Sequence, residues 1–504
     1  MTPAARAGVR LRDLLRDAFG ERADLGDAAH AADPLVFGIA QQADRVRPGW
    51  LFVARVGARH DAHDFVPEAL ARGAVAIVGT RPGLVGLPVP YVVVGDDRRA
   101  TSALAAAFHG HPGRSLAVAG VTGTDGKTTT AAILHHLLQG DGAAARATLL
   151  STAAVRFGRA EEAPEAGFTT PEATEVQAHL ARARELGARF AVLEASSHAS
   201  ALQRLADVPF AVMAWTNLTP EHLDLHGTFD AYRAAKTALV AQAAAAVLNR
   251  DDPHFPAFAA AARGPVTTYA LGTDADLRAH DVVATPDGGQ RFTVARGAAA
   301  WSAELPMAGR YNVANALAAL ATAETLGVPV ADGVVRLRSF AGVRGRMQRV
   351  QESPFAVIVD FAHTPPALEA ALAAVTPAPG GRRLVLIGAP GERDGRKRPE
   401  LGAVAVTRAD VAVFAEDDTR SEELGAILDA IAGGARAAGG VEGETFHVVP
   451  DRRLAIRRVL ALARPGDVVL LAGKGHERTL QRPDGTIPWD EVAEAREALR
   501  GSGA

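Results

Sequence analysis

A glycine-rich turn set between a short apolar run and an amphipathic segment constrains this chain more than any other feature. It reads Gly120-Val121-Thr122-Gly123-Thr124-Asp125-Gly126-Lys127-Thr128-Thr129-Thr130, after Leu116 to Val118 and before Ile133, Leu134, Leu137 and Leu138 on one helical face. Strand, turn and helix in that order make the layout of a phosphate cradle. Glycines let the backbone come close, successive N–H groups point inward, and the helix N-terminus adds positive potential. In such a cradle Lys127 reaches the β/γ-phosphates and the Thr128 hydroxyl ligates Mg²⁺. The glycines at 120, 123 and 126, with Val at 121, depart from the common G-x-x-x-x-G-K-[ST] spacing. A glycine-rich turn that merely opens a helix is the alternative, and the full context favours the cradle.

A chain of 504 residues is expected to form two to four domains, each with its own core. A net charge of −3 argues against a broad basic face for nucleic acid. The absence of cysteine excludes disulfides, thiolate nucleophiles and cysteine metal sites together. No segment offers about 18 uninterrupted apolar residues, and no secretory h-region stands at the start, so a cytoplasmic protein with no membrane partner is expected.

Three α/β regions follow from the apolar runs. The first, 1–112, holds Leu51 to Ala54, Ala74 to Val78 and Tyr91 to Val94, with a helical pattern from Phe65 to Arg72. The second, 113–341, adds Phe190 to Leu193, Phe210 to Met213 and Ala245 to Leu248 to the phosphate loop. Continuous apolar runs separated by helix-length segments suit a buried parallel sheet. Polar residues sit just past their C-terminal ends: Glu194, Ser196 and His198, then Thr216 and Asn217, then Asn249, Asp251 and Asp252. Ligands bind at that edge of open α/β sheets. The third, 342–504, repeats the pattern with Ala356 to Val359, Leu384 to Ile387, Val411 to Phe414 and Val468 to Leu471. It reads as a second doubly wound, Rossmann-like domain.

The chain resembles the Mur ligases over its whole length, and within them the branch that adds the third residue of the peptidoglycan stem peptide. The resemblance rests on Thr122 to Thr129, Glu194-Ala195-Ser196-Ser197-His198, Thr216-Asn217-Leu218, and His222 to Thr228 through Tyr232 to Lys236. It continues with Asn312, Asn315, Arg344-Gly345-Arg346-Met347, Asp360 to Pro365, Arg393 to Pro399 and Gly473-Lys474-Gly475-His476-Glu477. Each stretch alone is weak, and their joint order is specific.

That resemblance implies ATP-driven peptide-bond formation between a UDP-linked muramoyl dipeptide and a free diamino acid, through an acyl phosphate. It implies small-molecule partners and a monomer. It gives Gly123, Thr124, Asp125, Gly126, Lys127, Thr128 and Thr129 to ATP, with Asn312 on the adenine side and Arg346 and His363 reaching over from a closing third domain. Asn312 and Asn315 also suit a helix cap. Thr128, Glu194, His222 and Lys236 are implied metal ligands, and Lys236 is implied to be N6-carboxylated; Lys127, Glu194, His222 and Lys236 carry the catalysis. Thr169, Thr170, Ser196 and Arg204 are implied to hold the UDP substrate; the arginine fork suits a diphosphate. Arg393, Asp417, Asp418, Thr419, Arg420, Gly473 and Glu477 are implied for the amino acid. His198 reads equally as a metal-site neighbour or a structural histidine.

Two stretches depart from the family. Gln42-Ala43-Asp44 replaces the usual Asp-Ser-Arg, which removes the hydroxyl expected near uridine. Asp417-Asp418-Thr419-Arg420 replaces Asp-Asn-Pro-Arg of diaminopimelate enzymes; the extra charge at 418 points toward a plain ammonium, as in lysine or ornithine, with diaminopimelate still open. A folylpolyglutamate-type ligase, a D-alanyl-D-alanine-adding ligase and a non-catalytic nucleotide-binding regulator are the competing readings.

Overall fold

A computed structural model of the chain describes residues 8–20, 33–57, 60–84, 86–164 and 169–501. Among these residues three large sheets form, of four, eleven and six strands. The four-stranded sheet is parallel, in the spatial order Gly38–Ala40, Trp50–Ala54, Ala74–Gly79 and Tyr91–Val93. Helix Asp97–Phe108 closes it, capped by Asp96, whose carboxylate accepts from the backbone of Arg98 and Arg99. The helical pattern expected from Phe65 to Arg72 is a 3₁₀ turn, Ala62–Phe65, running into helix Val66–Ala71.

The eleven-stranded sheet holds the phosphate loop at its centre. Its parallel core runs Ala147–Leu150, Phe190–Glu194, Ala117–Thr122, Phe210–Trp215, Ala246–Asn249, Val266–Ala270 and Leu277–Ala284. Both faces are covered, which explains the unbroken apolar runs. Phe190 and Val192 enter one core with helices Lys127–Gln139 and Arg310–Thr325, while Ala191 and Leu193 enter the other with Ala173–Glu185 and Phe229–Gln242. Fully burying Phe190, Val192 or Leu193 contributes about 1.5–3 kcal/mol each. The sheet extends beyond the sequence reading through strands Ala147–Leu150, Val266–Ala270 and Leu277–Ala284, and through antiparallel strands Gln290–Arg296 and Ala299–Leu305 at one end and Val155–Phe157 and Ala160–Glu162 at the other. Ala160–Glu162 is exposed throughout, and the other three antiparallel strands carry apolar residues alternating with polar ones over most of their length, which leaves no continuous run.

The six-stranded sheet orders Gln348–Gln351, Ala356–Val359, Val468–Leu471, Arg383–Ile387, Val411–Phe414 and Phe446–Val448, parallel except for the first strand. No helix among the described residues is long and apolar enough to cross a membrane.

Candidate active site

Strand Ala117–Thr122 lies between Phe190–Glu194 and Phe210–Trp215, so the tips of three neighbouring strands place the loop, Glu194 and Thr216-Asn217 together. Only glycine fits two loop positions. Gly123 has φ +149° and a Cβ there would meet the Thr216 hydroxyl at 1.9 Å; Gly126 has φ +81° and a Cβ would meet Asn315 Oδ1 at 2.3 Å. Side chains from the next strand tip staple the loop: Thr216 Oγ1 donates to the Asp125 carbonyl at 2.6 Å, and Asn217 Oδ1 accepts from the Asp125 N–H at 2.9 Å. Thr129, in the first turn of helix Lys127–Gln139, is buried beside them. Lys127 Nζ donates to the carbonyls of Gly123 at 3.1 Å and Thr124 at 2.7 Å.

Around this loop the predicted ligands converge. Thr128 Oγ1 donates to Glu194 Oε1 at 2.8 Å, while Glu194 Oε2 accepts from the Thr152 N–H at 2.9 Å and hydroxyl at 3.0 Å. Lys236 Nζ donates to the Gly123 carbonyl at 2.5 Å and lies 4.7 Å from the Tyr232 ring centre. Its side chain is 1% exposed, and burial followed by the charge of Lys127 holds its pKa well below the ordinary lysine value. His222 packs on the same tyrosine ring at 6.2 Å, and the Tyr232 hydroxyl meets Thr124 Oγ1 at 3.0 Å. Tyr232 thus ties loop, lysine and histidine together. Burial pushes His222 down to about 3 and His198, 4.6 Å away ring to ring, down to about 4. Asn312 Oδ1 accepts from Asn315 Nδ2 at 3.1 Å, and the pair lies against the loop through Gly126.

The third domain reaches this pocket. Arg346 Nη2 donates to Thr128 Oγ1 at 3.2 Å, with its guanidinium 4.4 Å from the Phe361 ring centre. Lys397 Nζ lies 3.2 Å from Glu221 Oε1, and His363 Nε2 lies 3.6 Å from the same oxygen; the other oxygen is 3.7 Å from His222 Nε2. Burial opposes a charged Glu221, but His363, His222 and Lys397 outweigh it and hold the carboxyl well below its usual range. Burial also opposes a charged His363, and Glu221 reverses that, so its pKa is raised. Arg393 Nη1 stands 3.6 Å from Asp224.

Thr170 Oγ1 donates to the Glu194 carbonyl at 2.7 Å and to Ser196 Oγ at 3.0 Å, with half-buried Thr169 beside it. Arg204 Nη1 donates to the Thr170 carbonyl at 3.0 Å, and Nη2 pairs with Glu172 at 2.7 Å. The four residues proposed for the UDP substrate form one cluster behind Glu194.

Residues 121–323 match the Mur ligase middle domain and residues 345–475 match the Mur ligase, glutamate ligase domain. UDP-N-acetylmuramyl-tripeptide synthetase of Roseiflexus sp. (strain RS-1) is 43% identical over 97% of this chain and 99% of its own length. The Deinococcus radiodurans protein of the same name is 47% identical over 93% and 95%. The chain belongs to the Mur ligase family. The UDP-N-acetylmuramoyl-L-alanyl-D-glutamate--2,6-diaminopimelate ligase of Halalkalibacterium halodurans is 36% identical over 98% of this chain and 99% of its own. A solved ligase of that same name superposes with a TM-score of 0.67 at 27% identity, covering 99% of this chain and 100% of its own. The three-domain α/β architecture expected for a Mur ligase is the one observed.

In this Mur ligase the second departure acquires a partner. Lys474 Nζ sits among Asp417 at 3.6 Å, Asp418 at 2.7 Å and Glu477 at 2.5 Å, its side chain 0% exposed. Burial opposes its charge, and the three carboxylates outweigh burial and raise its pKa. The extra charge at Asp418 is therefore paired with Lys474 inside the protein. Arg420 is likewise engaged, donating from Nε to Gln481 Oε1 at 3.1 Å and from Nη1 to the Gly391 carbonyl at 2.7 Å, with Thr419 beside it donating to the Gln481 carbonyl. Gly473, φ +103°, lies against Asp417, where a Cβ would be 3.0 Å from Oδ2.

Sequence reasoning missed Glu221, Thr152 and the role of Lys474. Glu221 directly precedes His222, and an acidic residue in that position was the one available signal. Thr152 carries no local pattern, since only the adjacency of two strand tips brings it to Glu194.

Proposed function

We propose that this Mur ligase joins a diamino acid (L-lysine, L-ornithine or meso-2,6-diaminopimelate) to the D-glutamate of UDP-N-acetylmuramoyl-L-alanyl-D-glutamate, with ATP converted to ADP and phosphate. The observation that carries the reading is the clustering of Thr128, Glu194, Lys236 and His222 about one phosphate loop, faced by Arg346 from the third domain. The relatives named above, which span nearly the whole chain, support the same substrate class.

The γ-phosphoryl group of ATP passes to the D-glutamate side-chain carboxylate and ADP departs. The neutral amine of the diamino acid then attacks the acyl carbon, and phosphate leaves through a tetrahedral intermediate as the amine loses its proton. Two anions must meet in line, so repulsion is the obstacle and cations with inward N–H groups are the remedy. The loop N–H groups and Lys127 face the phosphates. Arg346 bridges to Thr128 from the opposite wall, and in this reading it carries a guanidinium to the transferred group as the third domain closes. Closure also excludes water from a readily hydrolysed acyl phosphate.

Thr128 and Glu194 supply hard oxygen donors suited to Mg²⁺, with His222 and Lys236 completing the set. Mg²⁺ held there would neutralise charge on the phosphate oxygens. A protonated Lys236 ammonium would not fit such a ligand set. A buried amine held neutral does, because its nitrogen forms a bond to the carbon of CO₂ and releases one proton to solvent, leaving an anionic carbamate whose oxygen can ligate.

The test supplies ATP, UDP-muramoyl-alanyl-glutamate and either lysine, ornithine or meso-diaminopimelate, and follows phosphate release. One of the three is expected to drive release strongly over the others. Release driven best by D-alanyl-D-alanine, or none with any diamino acid, would refute the reading.

A further inference from the structure

The first departure from the family, Gln42-Ala43-Asp44, leaves no hydroxyl on that turn: Ala43 is buried in the first domain's core and Asp44 is exposed. What the first domain presents to the middle domain instead comes from residues just past two strand ends. Gln41 follows strand Gly38–Ala40, and Arg55 follows strand Trp50–Ala54. Arg55 Nη1 donates to Glu172 Oε2 at 2.8 Å and to Gln41 Oε1, and Gln41 Nε2 donates to Thr174 Oγ1 at 3.1 Å. Glu172 is the same carboxylate that pairs with Arg204 at 2.7 Å. It is held still by its own chain, as the N-cap of helix Ala173–Glu185 in a capping box with Glu175.

Two guanidinium groups from two domains thus share one fixed carboxylate, beside the hydroxyls of Thr170 and Ser196. Glu175, whose charge also acts on Arg204, pairs with Arg45 at 3.5 Å, so three arginines face two carboxylates and one positive charge is left over, at a helix N-terminus and at the C-terminal edges of two parallel sheets, where ligands bind. Among the described residues only Nη1 of Arg55 is engaged, which leaves the Nε–Nη2 edge, the edge that grips a phosphate with two parallel hydrogen bonds. A simple bridge between domains needs one arginine for one carboxylate. The surplus charge and the open fork fit an anion.

We propose that Arg55 joins Arg204 in a diphosphate clamp for the nucleotide substrate, with Glu172 as the anchor that aims both guanidinium groups. The clamp rests on the substrate reading given above. It substitutes, from a neighbouring strand end, for affinity that the altered 42–44 turn no longer supplies.

The experiment measures KM for UDP-muramoyl-alanyl-glutamate and for ATP, and calorimetric binding of UDP and of uridine, on full-length wild type, Arg55→Met and Arg55→Lys. Loss of a charge-assisted pair of hydrogen bonds is expected to raise KM for the nucleotide substrate about tenfold in Arg55→Met. KM for ATP should hold, and UDP binding should weaken while uridine binding does not. Arg55→Lys keeps the charge opposite Glu172 without the fork, and should show most of the same loss. Full recovery in Arg55→Lys, or equal weakening of UDP and uridine, would reduce Arg55 to a bridge and overturn the clamp. Unchanged KM in Arg55→Met, with wild type binding normally, overturns the clamp alone. A wild type that binds neither UDP nor the muramoyl substrate sinks the substrate reading, and the clamp with it.

Discussion

Two buried lysines meet opposite fates in this molecule. Lys236, beside the phosphate loop, donates to one backbone carbonyl, faces a tyrosine ring, and has no carboxylate of the described residues within ion-pairing distance. Lys474, in the third domain, is enclosed by Asp417, Asp418 and Glu477. Burial disfavours the ammonium in both places, and only the partners differ. The first is held well below the ordinary lysine pKa and the second above it. Depth alone does not set charge in a protein interior; the compensation supplied there does. A neutral amine is fit for chemistry, and a caged ammonium is fit for fixing three acids in place.

The largest expected effect tests the reactive member. Lys236→Ala should lower ligation by about 10²–10³-fold, the scale of losing one preorganised electrostatic group. A short-chain carboxylate added to the buffer should restore part of it, and mass spectrometry of wild type should find one added carboxyl on this lysine. Full activity in the alanine variant without rescue would dissolve the contrast.

Lys474→Met attacks the other side. Removing one partner of a buried ion cluster costs about 3–5 kcal/mol, here read by urea unfolding. Adding Asp418→Asn should recover part of that loss, because the pair at 2.7 Å is the one left unanswered. A single variant as stable as wild type would mean that the acids, not the lysine, adapt.

pH separates the two by sign. For Lys236 the folded pKa lies below the ordinary value of 10.5, so the unfolded chain binds the extra proton and wild-type stability rises with pH up to about that value. Wild type should therefore gain on Lys236→Met between pH 7 and 10 in CO₂-free buffer. For Lys474 the folded pKa is raised, so its contribution is complete below 10.5 and fades as pH climbs through the folded value. The gap between wild type and Lys474→Met should stay flat to about pH 10 and close above it. Parallel trends for the two variants would contradict the comparison.

A third lysine sharpens it with the smallest effect. Lys397, 24% exposed, pairs with Glu221 across the domain boundary at 3.2 Å. Glu221 keeps His363 and His222 as partners when Lys397 is removed, so the loss is expected to be small. Lys397→Met should lower kcat/KM for the nucleotide substrate no more than about fivefold, visible in steady-state kinetics. A loss as deep as that of Lys236→Ala would give Lys397 a direct part in the chemistry.

How far the sequence reached follows the same division. Chain order alone determined the phosphate loop, because strand, glycines and helix are contiguous and only glycine tolerates the backbone at 123 and 126. It also determined the central parallel strands Phe190–Glu194, Phe210–Trp215 and Ala246–Asn249, whose two covered faces write continuous apolar runs, and the matched residue stretches of a Mur ligase. The outer strands from 277 to 305 stayed illegible because one face is exposed and the apolar signal halves. Only the tertiary structure decided which charges face one another. Glu221 draws Lys397 and His363 from beyond residue 360, Glu172 gathers Arg55 and Arg204 from two domains, and Asp418 finds Lys474 fifty-six residues away. Backbone preference acts between neighbours in sequence, whereas the charge of a buried group depends on whatever the fold brings within a few ångströms in a medium that screens poorly.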